Sequence, residues 1–343
     1  MHFYFCWKSI NKRHDFEYLL VSFAIFNYEI NYDQGNQLSK LKEFKAKNLV
    51  LQRIRDHNLI PEVDQDGINE LISLHLGDCD SLEFLVDTTK EHVPNRAFTN
   101  LIELSLIRMG GLKMLCNGPF PKGFLQNLKK LRVWRCGQLK EILEIDEGFY
   151  TREENQPQLL SNLEHLELES LPELRWIWKA SAHYFSLQSL KVVKISRCEK
   201  LMSLFSPSLI QSLLQLEELQ IEHCHKLKTL FGELESDGET ESNRHLHPLC
   251  LPILTTLVIS DCARLEYVLP ITLAQGLPQL EHCIKLPRLK DLTLYHFKGL
   301  SSFCPEIYFV EAAPALEKLS VSAWNNQVHL QVALFFSFFM FYF

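Results

Sequence analysis

The sequence contains two groups of side chains that could bind a metal ion. The run from His223 to His225 reads His-Cys-His, and the second group comprises His245, His247 and Cys250. Imidazole nitrogens and cysteine thiolates are the usual zinc ligands. Cys224, however, occupies an inward position of a repeating apolar pattern, so its neighbours face elsewhere, and the second group lacks a fourth ligand at a structural-site spacing. We therefore predict that neither group holds a metal.

The patterns that catalysis or cofactor binding would require are missing from the sequence. The chain has no G-x-S-x-G nucleophile elbow and no G-x-x-x-x-G-K-[ST] phosphate-binding loop. Adjacent acids such as Glu153 and Glu154 fall in a polar stretch that is typical of a solvated connection. We expect no enzyme activity, no cofactor and no small-molecule substrate.

Charge and cysteine content favour a cytoplasmic protein that binds another protein and does not bind nucleic acid. The net charge is −7, the isoelectric point is near 6.1, and lysines and arginines are scattered along the chain. The ten cysteines form no C-x-x-C pair, and no asparagine lies in an N-x-[ST] triplet, so reduced thiols are expected. The apolar run from Val328 to Phe343 falls short of the roughly 20 residues that span a bilayer, and we expect no membrane partner.

The elements that position these side chains follow from one apolar cassette, L-x-x-L-x-L-x-x-C-x-x-L-x-x-L. Eight stretches carry an apolar residue at all six defined positions of the cassette and a ninth at its first four, and they begin at Leu71, Leu101, Leu128, Leu163, Leu190, Leu216, Leu254, Leu289 and Leu316. Eight complete matches exclude chance. Their starts are 26 to 38 residues apart, a period typical of repeat proteins.

The spacing within the cassette predicts a β-strand in every repeat. In L-x-L the two apolar residues point to the same face of a strand, and the residue between them points to the other face. A single strand cannot bury its apolar face alone, so successive strands should stack side by side. The sequence therefore predicts an α/β leucine-rich repeat solenoid, a horseshoe with a parallel concave sheet and irregular or helical convex connections. Leucines at helical spacing predict a short helix within residues 206–219, and the acidic stretch 232–247 predicts a mobile loop.

Three segments follow from where the cassette begins and decays. Residues 1–60 are interpreted as degenerate N-terminal repeats or a flank, residues 61–325 as the leucine-rich repeat domain, and residues 326–343 as an aberrant apolar tail. The apolar stretch 18–26 is interpreted as a buried strand, because no small-residue cleavage site of a signal peptide follows it. The stretch 277–283 begins like a repeat and breaks off, which indicates a partial deletion, and the tail favours a truncated or misread gene end.

Five cysteines recur at one position of the cassette, and they are Cys79, Cys136, Cys198, Cys224 and Cys262. At that turn the backbone leaves the sheet, so a small side chain with a weak S–H donor can pack inside and help to satisfy carbonyls of the neighbouring coil. Met109, Leu171, Phe297 and Trp324 replace the cysteine elsewhere, so the donor is not obligatory. We interpret these thiols as structural, and not as ligands or nucleophiles.

The residues that face away from the core should form the functional surface, because solenoids usually bind on their concave face. Neighbouring parallel strands lie about 4.8 Å apart, so Arg132, Glu167 and Lys194 should form a row of opposite charges able to pair. Trp134, beside Arg132 and Arg135, is the predicted anchor, since tryptophan and arginine dominate protein interfaces. The predicted binding face comprises Arg132, Trp134, Arg135, Glu167, Glu169, Lys194, Arg197, Glu222 and Tyr295. An open alternative is that these charges only solvate the sheet.

In detail the repeats resemble the leucine-rich repeat region of plant intracellular immune receptors of the coiled-coil, nucleotide-binding class. The resemblance rests on the cysteine repeat at 216–231, the LPELRWIW stretch at 171–178 and the segment 98–131, and it extends over about residues 60–325. It implies that the repeats sense a pathogen effector or a guarded host protein and restrain a nucleotide-binding module in cis or trans. Because the chain has no phosphate-binding loop, a fragment of a receptor is favoured over a separate repeat module.

Substrate adaptors of ubiquitin ligases are the alternative, because they also carry cysteine-containing leucine-rich repeats. Their repeats are more uniform, at about 26 residues, and follow an N-terminal helical module that grips the ligase. The uneven spacing of the repeats in this chain, and an N-terminus without that module, argue against the adaptor.

Overall fold

The computed structural model describes residues 27–31, 47–60, 65–89, 96–144, 158–179, 184–206, 209, 212–230, 251–265, 268, 288–297 and 315–323. Eleven of the described strands form one parallel sheet, here called the main sheet. Their order across it is β1 (Asn27–Asn31), β2 (Asn48–Gln52), β4 (Ser73–Gly77), β6 (Glu103–Ile107), β8 (Lys130–Trp134), β10 (His165–Glu169), β12 (Val192–Ser196), β13 (Glu218–Glu222), β14 (Thr256–Ser260), β15 (Asp291–Phe297) and β16 (Lys318–Ala323).

The strands of the main sheet pair with equivalent cassette positions side by side. Leu104 on β6, for example, pairs with Leu74 on one side and with Leu131 on the other. The sheet continues in the same register from β4 back to β2, across residue 60. The predicted parallel solenoid is confirmed, and every cassette position becomes a column of residues that runs across the strands.

The core consists of the inward columns of the main sheet together with buried apolar residues of the connections, such as Leu101, Leu112 and Phe124. The strands alternate between half-buried and buried residues, as in β10, where Leu166 and Leu168 are almost fully buried and their neighbours are not. Each such leucine stabilises the fold by roughly 1.5–3 kcal/mol through removal of its side chain from water. Because one repeat supplies only a few of these residues, the stability of each coil depends on its neighbours.

Five shorter strands occupy the connections that leave the main sheet. β3 (Asn58–Ile60), β5 (Phe84–Asp87) and β7 (Met114–Asn117) form one parallel sheet, and β9 (Glu141–Glu144) and β11 (Trp176–Lys179) form another. Irregular or helical connections were predicted from the sequence, and these short strands were not. The helix α1 (Gln65–Glu70) is the one helix with defined ends in the described part of the chain.

The turns that follow the main strands from β2 to β14 have a left-handed backbone. In these eight successive coils the residue after the strand has a φ between 52° and 56°, and His296, the second-last residue of β15, has the same conformation. The eight residues are Arg53, Asp78, Arg108, Arg135, Ser170, Arg197, His223 and Asp261. In each of these coils the N–H donates to a carbonyl of the next coil, for example from Arg135 to Glu169 at 2.9 Å. The left-handed conformation costs roughly 1–2 kcal/mol for a residue with a Cβ. The ladder hydrogen bond and the inward turn of the following side chain offset that cost.

Several sequence predictions fall on residues that the structure does not describe. They are the stretch 18–26, the loop 232–247, the broken repeat 277–283, Trp324, the tail 326–343 and the second group of candidate metal ligands. Of the helix predicted for residues 206–219, Leu209 is helical, whereas residues 212–219 form turns and the start of β13. Leu209, Leu213 and Leu216 are all buried, as their spacing predicted.

Within the described ranges, no helix combines the length and the apolar character needed to cross a membrane.

Candidate interaction surface

The outer side of the main sheet carries the predicted binding residues. We call this surface the open face and define it as the outward residues of β4 to β15, with the residue before each strand and the left-handed residue after it. Outward and inward residues alternate, as the burial of β8 and β12 shows, although the outward Ser105 on β6 and Thr293 on β15 are also buried. The exposed side chains of this surface can therefore change without altering the buried leucines.

From β8 to β13, charges on the open face alternate in sign from one strand to the next. The β8 segment carries only cations and β10 only anions, and β12 and β13 repeat this order. The charged residues are, strand by strand, Lys129, Lys130, Arg132 and Arg135; then Glu164, Glu167 and Glu169; then Lys191, Lys194 and Arg197; then Glu217, Glu218 and Glu222. Each cationic strand thus lies beside an anionic one.

Arg132 joins three strands of the open face through its guanidinium. Its Nε lies 2.8 Å from a carboxylate oxygen of Glu167, and its Nη1 lies 3.2 Å from Glu103 on the opposite neighbouring strand. The pairing of Arg132 with Glu167 was predicted, whereas the contact with Glu103 was not. Both carboxylates therefore already neutralise Arg132.

Arg132, Glu167 and Lys194 lie side by side in the register, as the sequence predicted. Only the first two form an ion pair among the described residues, because the Lys194 ammonium lies 3.1 Å from Glu218 on β13. The long lysine side chain reaches a residue displaced along the next strand. The predicted row is therefore confirmed, but Lys194 pairs with a carboxylate outside it.

A second line of ion pairs lies at the residue before each strand. Glu164 receives hydrogen bonds from Lys129 at 2.9 Å and from Lys191 at 3.0 Å, and these bonds hold its pKa below the usual value for glutamate. The predicted binding face included two outward columns, but it left out the residue before each strand and the first residue of each strand. Both occupy constant positions in the cassette, so the spacing of the repeats could have identified them.

The left-handed column contains paired and unpaired arginines. The Arg108 guanidinium donates to Asp78, with Nη2 and Oδ2 2.8 Å apart, and this hydrogen bond lowers the pKa of Asp78. Arg197 lies 3.4 Å from Glu169. Arg135 is exposed, and no carboxylate lies within 4 Å of it among the described residues. Its charge is therefore available to a partner.

Two aromatic side chains of the predicted face are partly exposed. Trp134 is 39% exposed and Tyr295 is 37% exposed. They lie on β8 and β15, which are five strands apart, or roughly 24 Å at the usual spacing. Trp134 lies in the same row as Ile107 and Glu169, which flank it on β6 and β10. The structure thus places Trp134 among the predicted charges and places Tyr295 apart from them.

The cysteine column lies beneath this surface. Cys136 and Cys198 each donate an S–H to the carbonyl two residues earlier in the same coil, both at 3.5 Å, and the contact of Cys136 with the neighbouring coil is longer, at 3.9 Å. The bond predicted toward the neighbouring coil is thus secondary. Burial raises the pKa of Cys79 to about 11 and that of Cys136 to about 12, so these thiols remain protonated.

Cys224 points into the core, whereas the flanking His223 and His225 lie outside it. Cys224 is fully buried, and a hydrogen bond with Cys198 raises the pKa of its thiol. His223 lies 3.6 Å from a carboxylate oxygen of Asp261, and the Nδ1 of His225 lies 3.0 Å from the Asp261 carbonyl. Throughout the described residues no three ligands of this kind converge.

The repeats that build this surface match a known family. The model of the family described as "Plant disease resistance protein RPS2-like, leucine-rich repeats" matches residues 26–143 and 89–225, which together cover more than half of the chain. The chain is also similar to an Arabidopsis thaliana protein named "Putative disease resistance protein At4g19050", with 28% identity over 168 residues. Those residues make up 48% of this chain and 12% of the relative, so the chain spans a small part of that protein's length.

Proposed function

The chain belongs to the leucine-rich repeat family of plant disease resistance proteins, and we propose that its open face recognises a protein in the defence response. The partner would be a pathogen effector, a host protein that an effector modifies, or the nucleotide-binding module of a receptor in cis or trans. Repeat domains of this kind generally bind proteins. A role as the recognition part of a larger cytoplasmic receptor, without catalysis of its own, is part of the proposal.

One observation carries the proposal most strongly. Trp134 and Arg135 are adjacent, both are exposed, and the charge of Arg135 is not neutralised within the described residues. Tryptophan and arginine contribute most to binding energy when they lie near the centre of a contact. An exposed tryptophan beside an arginine without a described counter-charge is the combination that protein interfaces favour, whereas charges that only solvate the sheet would not require it.

The rigidity of the scaffold supports the same conclusion. Trp134 lies on a strand that hydrogen-bonds to β6 and β10, and the Arg135 N–H donates to the Glu169 carbonyl. Little backbone freedom remains to be lost on binding. Preorganised side chains of this kind bind more tightly than the same residues on a mobile loop.

A partner screen followed by matched variants tests the proposal. The full chain serves as bait against expressed host and pathogen proteins, and each partner is then titrated against purified wild type, the double variant Trp134→Ala/Arg135→Ala and the control Leu214→Ala. Leu214 is 50% exposed but lies outside the open face, so it controls for loss of an exposed apolar side chain.

We expect the double variant to weaken binding by at least about tenfold, the size typical of hot-spot residues, and the control to bind like wild type. A partner that binds wild type and the double variant equally would show that recognition uses another surface. Circular dichroism of each variant establishes that the fold is intact.

A further inference from the structure

Among the described residues, the open face leaves one cation without a counter-charge. From β6 to β12, all the remaining lysines and arginines of this surface have a carboxylate within 4 Å in the described ranges. Arg135 is the exception. Its neighbours in the left-handed column are Arg108 and Ser170, and Glu169, which lies beside Trp134 on β10, pairs with Arg197. A partner's carboxylate could therefore pair with Arg135 without displacing an ion pair of the described residues.

An apolar pair of side chains lies beside this cation. Trp134 and Ile107 are neighbours in the register, and Trp134 is 39% exposed while Ile107 is half-buried. The next position in the row is Gly77, and a Cβ built there would be in ordinary contact with the Gln52 side chain at 3.7 Å and with the Ile107 carbonyl at 3.9 Å. The row therefore carries no side chain from β4 beside Ile107.

From these two features we infer the chemistry of the partner: a protein segment that presents a carboxylate next to a bulky apolar side chain. The carboxylate pairs with Arg135, and the apolar side chain packs on Trp134 and Ile107. The inference rests on the open face being the recognition surface. The fixed left-handed backbone at Arg135 sets where the carboxylate must lie relative to Trp134.

A selection from a random peptide library displayed on phage tests the inference without a known partner. The full chain is immobilised as wild type, Arg135→Glu, Trp134→Ala and Lys113→Glu, and the enriched peptides are sequenced. Lys113 is an exposed cation that pairs with Glu83 outside the open face, so its reversal changes the net charge equally. Wild type and Lys113→Glu should enrich peptides with Asp or Glu beside Leu, Ile, Met or Phe.

The Arg135→Glu variant should lower the enrichment of acidic peptides at least tenfold and select Lys or Arg instead, and Trp134→Ala should remove the apolar preference. If wild type and Arg135→Glu enrich acidic peptides equally, the inference is overturned. That result is expected if acids of the chain itself already pair with Arg135. Self-association of wild type that Arg135→Glu abolishes also overturns it, because a second copy would then be the occupant.

The same selection separates this inference from the proposed function. Enrichment that depends on Trp134 but shows no preference for acids overturns the partner chemistry and retains the open face as a binding surface. Enrichment that none of the open-face variants alters, or no enrichment above the unselected library, contradicts both.

Discussion

Reversing the charge of Arg132 should destabilise the solenoid more than removing the charge does. Arg132 contacts Glu167 and Glu103, and all three side chains are between 23% and 33% exposed. Partly exposed pairs contribute about 0.5–1 kcal/mol each, so Arg132→Met should lower the free energy of unfolding by about 1–2 kcal/mol. In Arg132→Glu the new carboxylate faces both glutamates, and each repulsion adds about 1 kcal/mol at contact distance in a high dielectric. We expect a total loss of about 3–4 kcal/mol.

Because the charges alternate from strand to strand, exchanging Arg132 and Glu167 should not restore the full stability. The double variant Arg132→Glu/Glu167→Arg restores a pair between β8 and β10, but it places the new carboxylate beside Glu103 and the new guanidinium beside Lys194. Only part of the loss should therefore be recovered. If only the exchanged pair mattered, the double variant would recover the full free energy of unfolding of wild type.

Urea denaturation followed by far-ultraviolet circular dichroism measures these differences. The measurement is repeated in about 1 M NaCl, where the Debye length is about 3 Å and the repulsions should shrink. Arg135→Met is the control, because this arginine lacks a described partner and its loss should change stability by no more than about 0.5 kcal/mol. Equal stability of Arg132→Glu and Arg132→Met, or the same loss at high salt, would refute the electrostatic reasoning.

Three further outcomes follow from the buried and strained residues. The folded chain should react with a thiol reagent at no more than four of its ten cysteines, since six are buried and free, and at all ten once denatured; faster reaction would show that the column opens. Burial lowers the pKa of His75 below 6.5, so the imidazole binds a proton more readily in the unfolded chain than in the folded one, and stability falls as the pH drops from about 7 to 5. The His75→Gln variant should show a smaller decrease in melting temperature over this pH range, and an unchanged decrease would contradict the assignment to His75. Ser170 has a φ of 56°, so Ser170→Asn should raise stability by about 0.5 kcal/mol and Ser170→Val should lower it by about 1–2 kcal/mol in thermal denaturation.

The inward residues could be predicted from the sequence because their spacing has one physical explanation. Residues such as Leu131 and Val133 lie two apart, and only a strand places both on one face. The later apolar positions of the cassette are three residues apart, a spacing that also fits a helical turn. That ambiguity concealed strands such as β5 and β9, whose hydrogen-bond partners belong to other repeats.

The outward residues could be located but not paired from the sequence. The cassette assigned Arg132 and Glu167 to one row, and the structure joins them. It could not show that Lys194 bends toward Glu218, because the choice depends on side-chain reach and on which carboxylate is already occupied. The left-handed turn was hidden for a different reason: no glycine marks it, since the ladder hydrogen bonds hold arginine, serine and histidine there instead.

The alternating charges also explain why an exposed patch can remain specific. A cation flanked by carboxylates, as Arg132 is, offers a partner little, because binding would have to replace ion pairs that already exist. A cation with no described counter-charge, as Arg135 is, gains a pair without losing one. A substitution in an outward column leaves the leucine core intact, but at a paired position such as Arg132 it also lowers stability. We therefore expect changes of binding specificity to concentrate at positions such as Arg135, whose substitution should cost little stability.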